Sequence, residues 1–188
     1  MTPDAFAGLW RRRSLQLGDA PPSEPAAVHW IQWGDHYLDV RVPIAEPSPF
    51  CGPGTFGGTT TWADPVLTWH HAIDSEPGAA ADEGTVRWLT DDVIEERGVA
   101  VLDGVDVPYV EVWARVGGRP GTGRHWATAA GALAVEAGPH RVAATVRADG
   151  AWAGARSELR SGVGWEVVDA VGDADLVAVL RPVVVDPS

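Results

Sequence analysis

Turn-forming residues constrain this chain more than any other feature. Twenty-two glycines and fifteen prolines are spread over 188 residues, so few stretches are long enough for a stable helix. Between these breaks lie short runs rich in Val, Trp, Thr and Ile, in which apolar and polar residues alternate with period two. That pattern predicts strands near 8–15, 27–33, 36–42, 56–62, 65–73, 84–90, 92–97, 109–116, 124–135, 140–147, 152–160, 164–171 and 175–184. Hairpin turns are expected at Gly34-Asp35, Asp103-Gly104, Asp149-Gly150 and Gly172-Asp173. Two Ala-rich stretches, Gly78–Glu83 and Trp126–Val135, are the only helical candidates, and neither carries a 3.6-residue stripe. The expectation is an all-β fold with little helix: an antiparallel barrel of about ten to twelve short strands, closed because closure removes exposed edges. The whole chain, 1–188, reads as one domain. The GGRPGTG run at 117–123 is a seam candidate between an N-terminal part, 1–116, and a C-terminal part, 124–188.

Charge narrows the partners. The 14 basic residues are all arginine and face 26 acidic ones, for a net charge of -12. A nucleic-acid partner is not expected, because phosphate binding needs a basic stripe. Docking on anionic lipid is disfavoured for the same reason. No apolar run approaches the roughly 20 residues of a membrane span, and the N-terminus, Met1-Thr2-Pro3-Asp4, lacks the features of a signal peptide. A cytoplasmic protein is therefore expected. Cys51 is the only cysteine, so an intrachain disulfide is excluded.

The hairpin at Gly34-Asp35 divides the residues into two faces. With those two as the loop, Trp33 pairs with His36, Gln32 with Tyr37, Ile31 with Leu38, Trp30 with Asp39 and Val28 with Arg41. One face carries Ile31, Trp33, Leu38, Val40 and Val42. The other carries Trp30, Gln32, Tyr37, Asp39 and Arg41. The strand at 109–116 repeats the division, with Val110, Val112, Ala114 and Val116 opposite Tyr109, Glu111, Trp113 and Arg115. Two arrangements are open. The aliphatic face forms the core and the aromatic-polar face meets solvent, as in most half-buried sheets. Alternatively, the aromatic-polar face turns inward around a ligand cavity, at the desolvation cost of buried ion pairs.

Several groups are candidates for chemistry. His70 and His71 point to opposite sides of a strand. Alternation groups His71 with Leu67, Trp69 and Ile73, and His70 with Thr68 and Asp74. His70 is the first candidate for a general acid or base, with Asp39, Glu111 or Tyr109 as partners from a neighbouring strand. The six histidines show no metal-ligand spacing, and no dinucleotide, phosphate or haem motif is present, so no metal and no cofactor are expected. Glu95 and Glu96 read as decoration on a hairpin rim.

Gly8, Trp10, Arg12, Trp30, Gln32, Asp39, Arg41, Pro43, Phe56, Gly58, Trp69, His70, Asp74, Glu111 and Trp113 follow an ordered pattern over about residues 6–116. In this respect the chain resembles bacterial proteins of the Hri1 family. The resemblance implies a calycin-like, lipocalin-like barrel and brings no chemistry with it. Three functions follow as expectations. The first is binding of a small apolar or aromatic molecule between Trp30, Trp69, Trp88 and Trp113, oriented by Gln32, Tyr37, Arg41 and Glu111. The alternative is a cofactor-free cyclase, isomerase or lyase acting on a hydrophobic intermediate, with His70 moving the proton and Arg41 or Tyr109 stabilising charge. The second alternative is a protein–protein adaptor with exposed tryptophans.

Overall fold

The computed structural model describes residues 3–44, 54–75, 82–127, 131–146, 152–162 and 164–172. A one-turn helix, Pro3–Phe6, leads into β1 (Gly8–Leu17), β2 (Ala26–Trp33), β3 (His36–Pro43), β4 (Gly54–Ala63), β5 (Val66–Asp74), β6 (Asp82–Thr90), β7 (Val93–Leu102) and β8 (Val105–Val116). These eight strands pair in sequence order. β8 then pairs antiparallel with β1, from Leu9↔Val116 to Leu17↔Tyr109, closing the barrel. Five more strands follow: β9 (Gly123–Ala127), β10 (Leu133–Ala137), β11 (His140–Val146), β12 (Trp152–Ser161) and β13 (Gly164–Gly172). They form a separate sheet in the order β13-β12-β11-β10-β9. The fold is thus all-β and antiparallel, with the strands divided between an eight-stranded barrel and a five-stranded sheet rather than closing as one larger barrel.

Local turn chemistry accounts for most of these elements. The β2–β3 hairpin has the register that Gly34-Asp35 dictates, from Trp33↔His36 through Gln32↔Tyr37 and Trp30↔Asp39 to Val28↔Arg41. Asp103 and Gly104 both adopt positive φ and turn β7 into β8. The expected strand at 124–135 is instead two, β9 and β10, with Gly131 at φ +85° between them. The helical candidate Trp126–Val135 is therefore strand at both ends. In the other candidate, Gly78–Glu83, Asp82 and Glu83 open β6. Its first four residues lie outside the described ones, as do the expected strand 175–184 and the turn Asp149-Gly150. Among the described residues no helix is long and apolar enough to cross a membrane.

Closure settles which face goes where. The aromatic-polar face is inside: Trp10, Trp30, Tyr37, Trp69 and Trp113 share one buried cluster with Phe6, Leu67 and Ile94. The aliphatic face is outside, but it does not meet water. Leu9, Ile31, Leu38, Val40 and Ile73 pack against Leu133, Val135, Ala137, Val142, Ala144 and Ala155 of the second sheet. Ile31, Leu38 and Val40 are fully buried there, and burial of such side chains stabilises by roughly 1.5–3 kcal/mol each. Strands β2 and β3 are thus covered on both sides and are the common wall of two cores.

Two inward glycines make room for polar side chains. Glu96 lies over Gly84, and the Tyr109 ring lies over Gly98, where an added Cβ would stand 2.5 Å from both Cζ and the hydroxyl oxygen. Gly98→Ala is expected to destabilise the barrel by about 1–3 kcal/mol through overpacking. Val99→Ala, at the exposed neighbour, is expected to change stability by less than about 0.5 kcal/mol. Urea unfolding of the two variants measures the difference, and equal stabilities would contradict this packing.

Candidate functional site

The barrel interior has an apolar half and a polar half. In the apolar half, Phe6 enters from the one-turn helix and meets Trp62, Trp88 and Trp30 at ring-centroid distances of 5.2, 5.3 and 5.9 Å. Trp30 in turn meets Trp10, Trp113 and Trp69 at 5.7, 5.7 and 5.9 Å. Each spacing is an ordinary aromatic contact. Arg115 holds this end shut. It donates to the carbonyls of Ala7 and Ala5 at 2.6 and 3.0 Å and lays its guanidinium over Trp10 at 4.5 Å. Trp10 Nε1 donates to the Phe6 carbonyl at 2.7 Å.

The polar half lies toward the barrel end where β3 and β5 finish and β4 and β6 begin. Arg41 donates Nε to Asp39 at 2.9 Å and rests on the Phe56 ring at 4.5 Å. His71 stacks on the same ring at 4.8 Å and is held by Asp74 at 2.7 Å and Asp82 at 3.3 Å. On the β1 and β8 side, Arg12 donates to Glu111 at 2.5 Å and bridges to Glu24 at 2.9 and 3.1 Å. Glu96, directly opposite Glu111 in the β7–β8 register, accepts from the Tyr109 hydroxyl at 2.8 Å and from Trp113 Nε1 at 3.1 Å. Tyr37 is fully buried and, among the described residues, its hydroxyl has no hydrogen-bond partner. Nearly all buried polar atoms in folded proteins are satisfied, so an orphaned phenol in a polar wall calls for an explanation.

The electrostatics follow from burial and neighbours. Burial raises the Glu96 carboxyl well above the ordinary range, and Glu111 and Asp82 push it further. The facing carboxyls therefore divide their roles, with Glu111 paired to Arg12 and Glu96 favouring its protonated form. Burial, with Asp82, Asp39 and Asp74, keeps Tyr37 protonated far beyond the usual phenol range. Burial works against the charge on His71, yet its hydrogen bonds to Asp82 and Asp74 outweigh this and raise its pKa. Burial also raises the Asp39 carboxyl, and Arg41 draws it back. Among the described residues no trio of His, Cys, Asp or Glu is disposed to hold a metal ion.

Of the site residues expected from sequence, Trp30, Trp69, Trp88 and Trp113 stand in the aromatic half. Tyr37, Asp39, Arg41, Tyr109 and Glu111 stand in the polar half. Gln32 donates to Thr60 Oγ1 at 2.7 Å and to the Gly34 carbonyl at 3.1 Å. His70 stands apart: it is exposed on the outer surface, bonded to Thr61 at 3.0 Å, and does not reach Asp39, Glu111 or Tyr109. The expected grouping of His70 with Asp74 is corrected by a bulge in β5. Gly57 pairs with Ile73 but Gly58 with His71, so Ala72 is the extra residue. His71 and Asp74, three apart, thereby share the inner face, while Ile73 turns out to the second core. Glu96 is likewise corrected. Only Glu95 decorates the surface, bridging Arg87 and Arg97 at 3.0 and 2.8 Å. Period-two counting forward from Ile94 identifies Glu96 as inward, whereas nothing in the β5 sequence reveals the bulge.

A second polar cluster joins the barrel to the sheet. His29 on β2 bonds Asp169 on β13 at 2.6 Å and Ser157 on β12 at 3.3 Å. The composition is that of a Ser–His–Asp triad, but Ser157 is buried between the layers and offers no face to a substrate. Burial and then Arg11 lower the His29 pKa below 6.5, with Asp169 pulling the other way. A lowered histidine favours the folded state while neutral, so its contribution is present above the unfolded value near 6.5 and is lost as pH falls through the folded value. Wild-type protein is therefore expected to lose more stability than His29→Gln between pH 7.5 and 5 in urea unfolding. Equal losses would contradict this assignment. The opposite contribution of His71 is common to both proteins and cancels.

No curated protein matches the chain. Among solved structures, the crystal structure of an uncharacterized protein from Saccharomyces cerevisiae superposes with a TM-score of 0.69 at 17% identity, covering 89% of this chain and 86% of that one. That likeness extends over barrel and second sheet together and speaks for the fold. The family model described as Protein HRI1 matches residues 8–169, from the first strand of the barrel into the last strand of the sheet. The chain belongs to the HRI1 family.

Proposed function

We propose that this chain binds one small molecule in the polar half of its barrel, in the manner of calycin-like and lipocalin-like barrels. The observation that carries the reading is Tyr37, whose buried hydroxyl is unspent among the described residues, beside an arginine that donates Nε to Asp39. A folded protein that leaves such a donor unpaired gives up about 1–3 kcal/mol. A ligand that accepts from it recovers that cost. The tryptophan rings touch one another, so they act as an apolar floor and the ligand sits above them. Phe56, Arg41 and Tyr37 form its wall.

Two other readings draw less support. His70 faces away from the interior and has no carboxylate partner among the described residues, so proton transfer through it lacks a geometry. The large apolar side chains that stand exposed among the described residues are aliphatic, including Val99, Val101 and Val105. An adaptor built on tryptophan hot spots does not match that surface.

The reading predicts effects of opposite sign from one substitution. Tyr37→Phe removes an unpaired buried hydroxyl and is expected to stabilise the unliganded protein by about 1 kcal/mol. For any compound found by screening small metabolites against the wild-type tryptophan fluorescence, the same variant is expected to bind about tenfold more weakly, which is about 1.4 kcal/mol. Thermal unfolding and fluorescence titration read the two effects. A variant that is less stable and binds unchanged would contradict the proposal.

A further inference from the structure

The polar half is unevenly charged, and the imbalance bears on what it binds; the inference rests on the binding reading above. Around the Tyr37 phenol stand Asp39, Asp74 and Asp82, with Arg41 the cation that opposes them. His71, whose charged form Asp82 and Asp74 favour, supplies a second cation. On the β1 and β8 side, Glu111 and the partly exposed Glu24 share the guanidinium of Arg12. Among the described residues, five carboxylates thus stand with three cations. A sixth carboxyl, Glu96, is raised first by its burial and then by the field of Glu111 and Asp82. The part of that shift due to Glu111 and Asp82 discriminates by sign, and a bound anion meets the same repulsion.

We propose that the barrel takes a small organic cation, an ammonium or amidinium group carried on an apolar or aromatic body. The acidic residues alone do not define this site. Tyr37, fully buried with its hydroxyl unpartnered, is the independent mark of an unfilled position among them. Its phenolic oxygen has lone pairs for an N–H donor. Asp82 adds carboxylate on the partly exposed side, at 32% side-chain exposure. The Phe56 ring and the tryptophan floor suit an apolar body, and aromatic faces attract a cation further. An inorganic ion is the weaker fit, since no metal-holding trio exists among the described residues.

Three probes of one shape separate the charge classes: benzylammonium, benzyl alcohol and benzoate, each titrated calorimetrically into the full chain, with calcium chloride alongside. Benzylammonium is expected to bind at least about tenfold tighter than benzyl alcohol, with benzoate weakest, the scale on which a close charge partner acts. Asp82→Asn, at a partly exposed position the barrel tolerates, is expected to shrink the first ratio, and Tyr37→Phe to weaken benzylammonium. Benzyl alcohol or benzoate binding as tightly as benzylammonium, and still weakened by Tyr37→Phe, would overturn the cation and leave the binding site standing. Calcium binding tighter than benzylammonium would overturn the organic class. If no probe distinguishes wild type from Tyr37→Phe, both the cation and the binding site fall.

Discussion

Everything in this molecule depends on the pairing of β8 with β1. An open sheet of these eight strands would have two exposed edges and a face of tryptophans in water. Closing from Leu9↔Val116 to Leu17↔Tyr109 removes both edges and leaves the larger side chains only one place to go. Trp10, Trp30, Tyr37, Trp69 and Trp113 fill the interior, and with them come the charged residues that alternate on the same strands. Because Trp113 and Glu111, or Tyr37 and Asp39, lie two apart, the aromatic core cannot be buried without burying the ions.

Buried charge is stable only where it is paired, and here pairs within β3 and β5 are joined by pairs across strands. Arg12 of β1 answers Glu111 of β8, and His71 of β5 meets Asp82 of β6. Each pair ties neighbouring strands at the polar end, and removing one partner strands the other in a low-dielectric interior. The second sheet works from outside on the same strands. Leu38 and Val40 project into it between Tyr37, Asp39 and Arg41, which project inward. The strand that carries most of the polar wall is thereby held rigid from both faces, the condition under which a binding group keeps its geometry without a ligand.

Much of this was legible in the residues. The β2–β3 register follows from Gly34-Asp35 alone, and the split into an aliphatic and an aromatic-polar face follows from period two. Which face lies inside was not legible, because both are buried. The usual rule that a sheet's polar face meets water fails when a second sheet covers the aliphatic one. The division into eight and five strands was hidden in 124–135, where Gly131 breaks an otherwise strand-like run. His71 was hidden for another reason: the bulge at Ala72 is set by how Gly57 and Gly58 pair across to β5, and local sequence in β5 does not encode it.

The most direct test of the inward aromatic-polar face uses the only two tyrosines in the chain, Tyr37 and Tyr109. Both lie on that face, and burial with neighbouring carboxylates pushes both phenols above their ordinary value of 10.0. Absorbance at the phenolate band, followed with circular dichroism as pH is raised, reads them together. The account predicts no tyrosinate signal until the barrel unfolds, when both appear in one step. A tyrosine that ionises near its ordinary value while the fold is intact would place the aromatic-polar face in solvent and contradict the account.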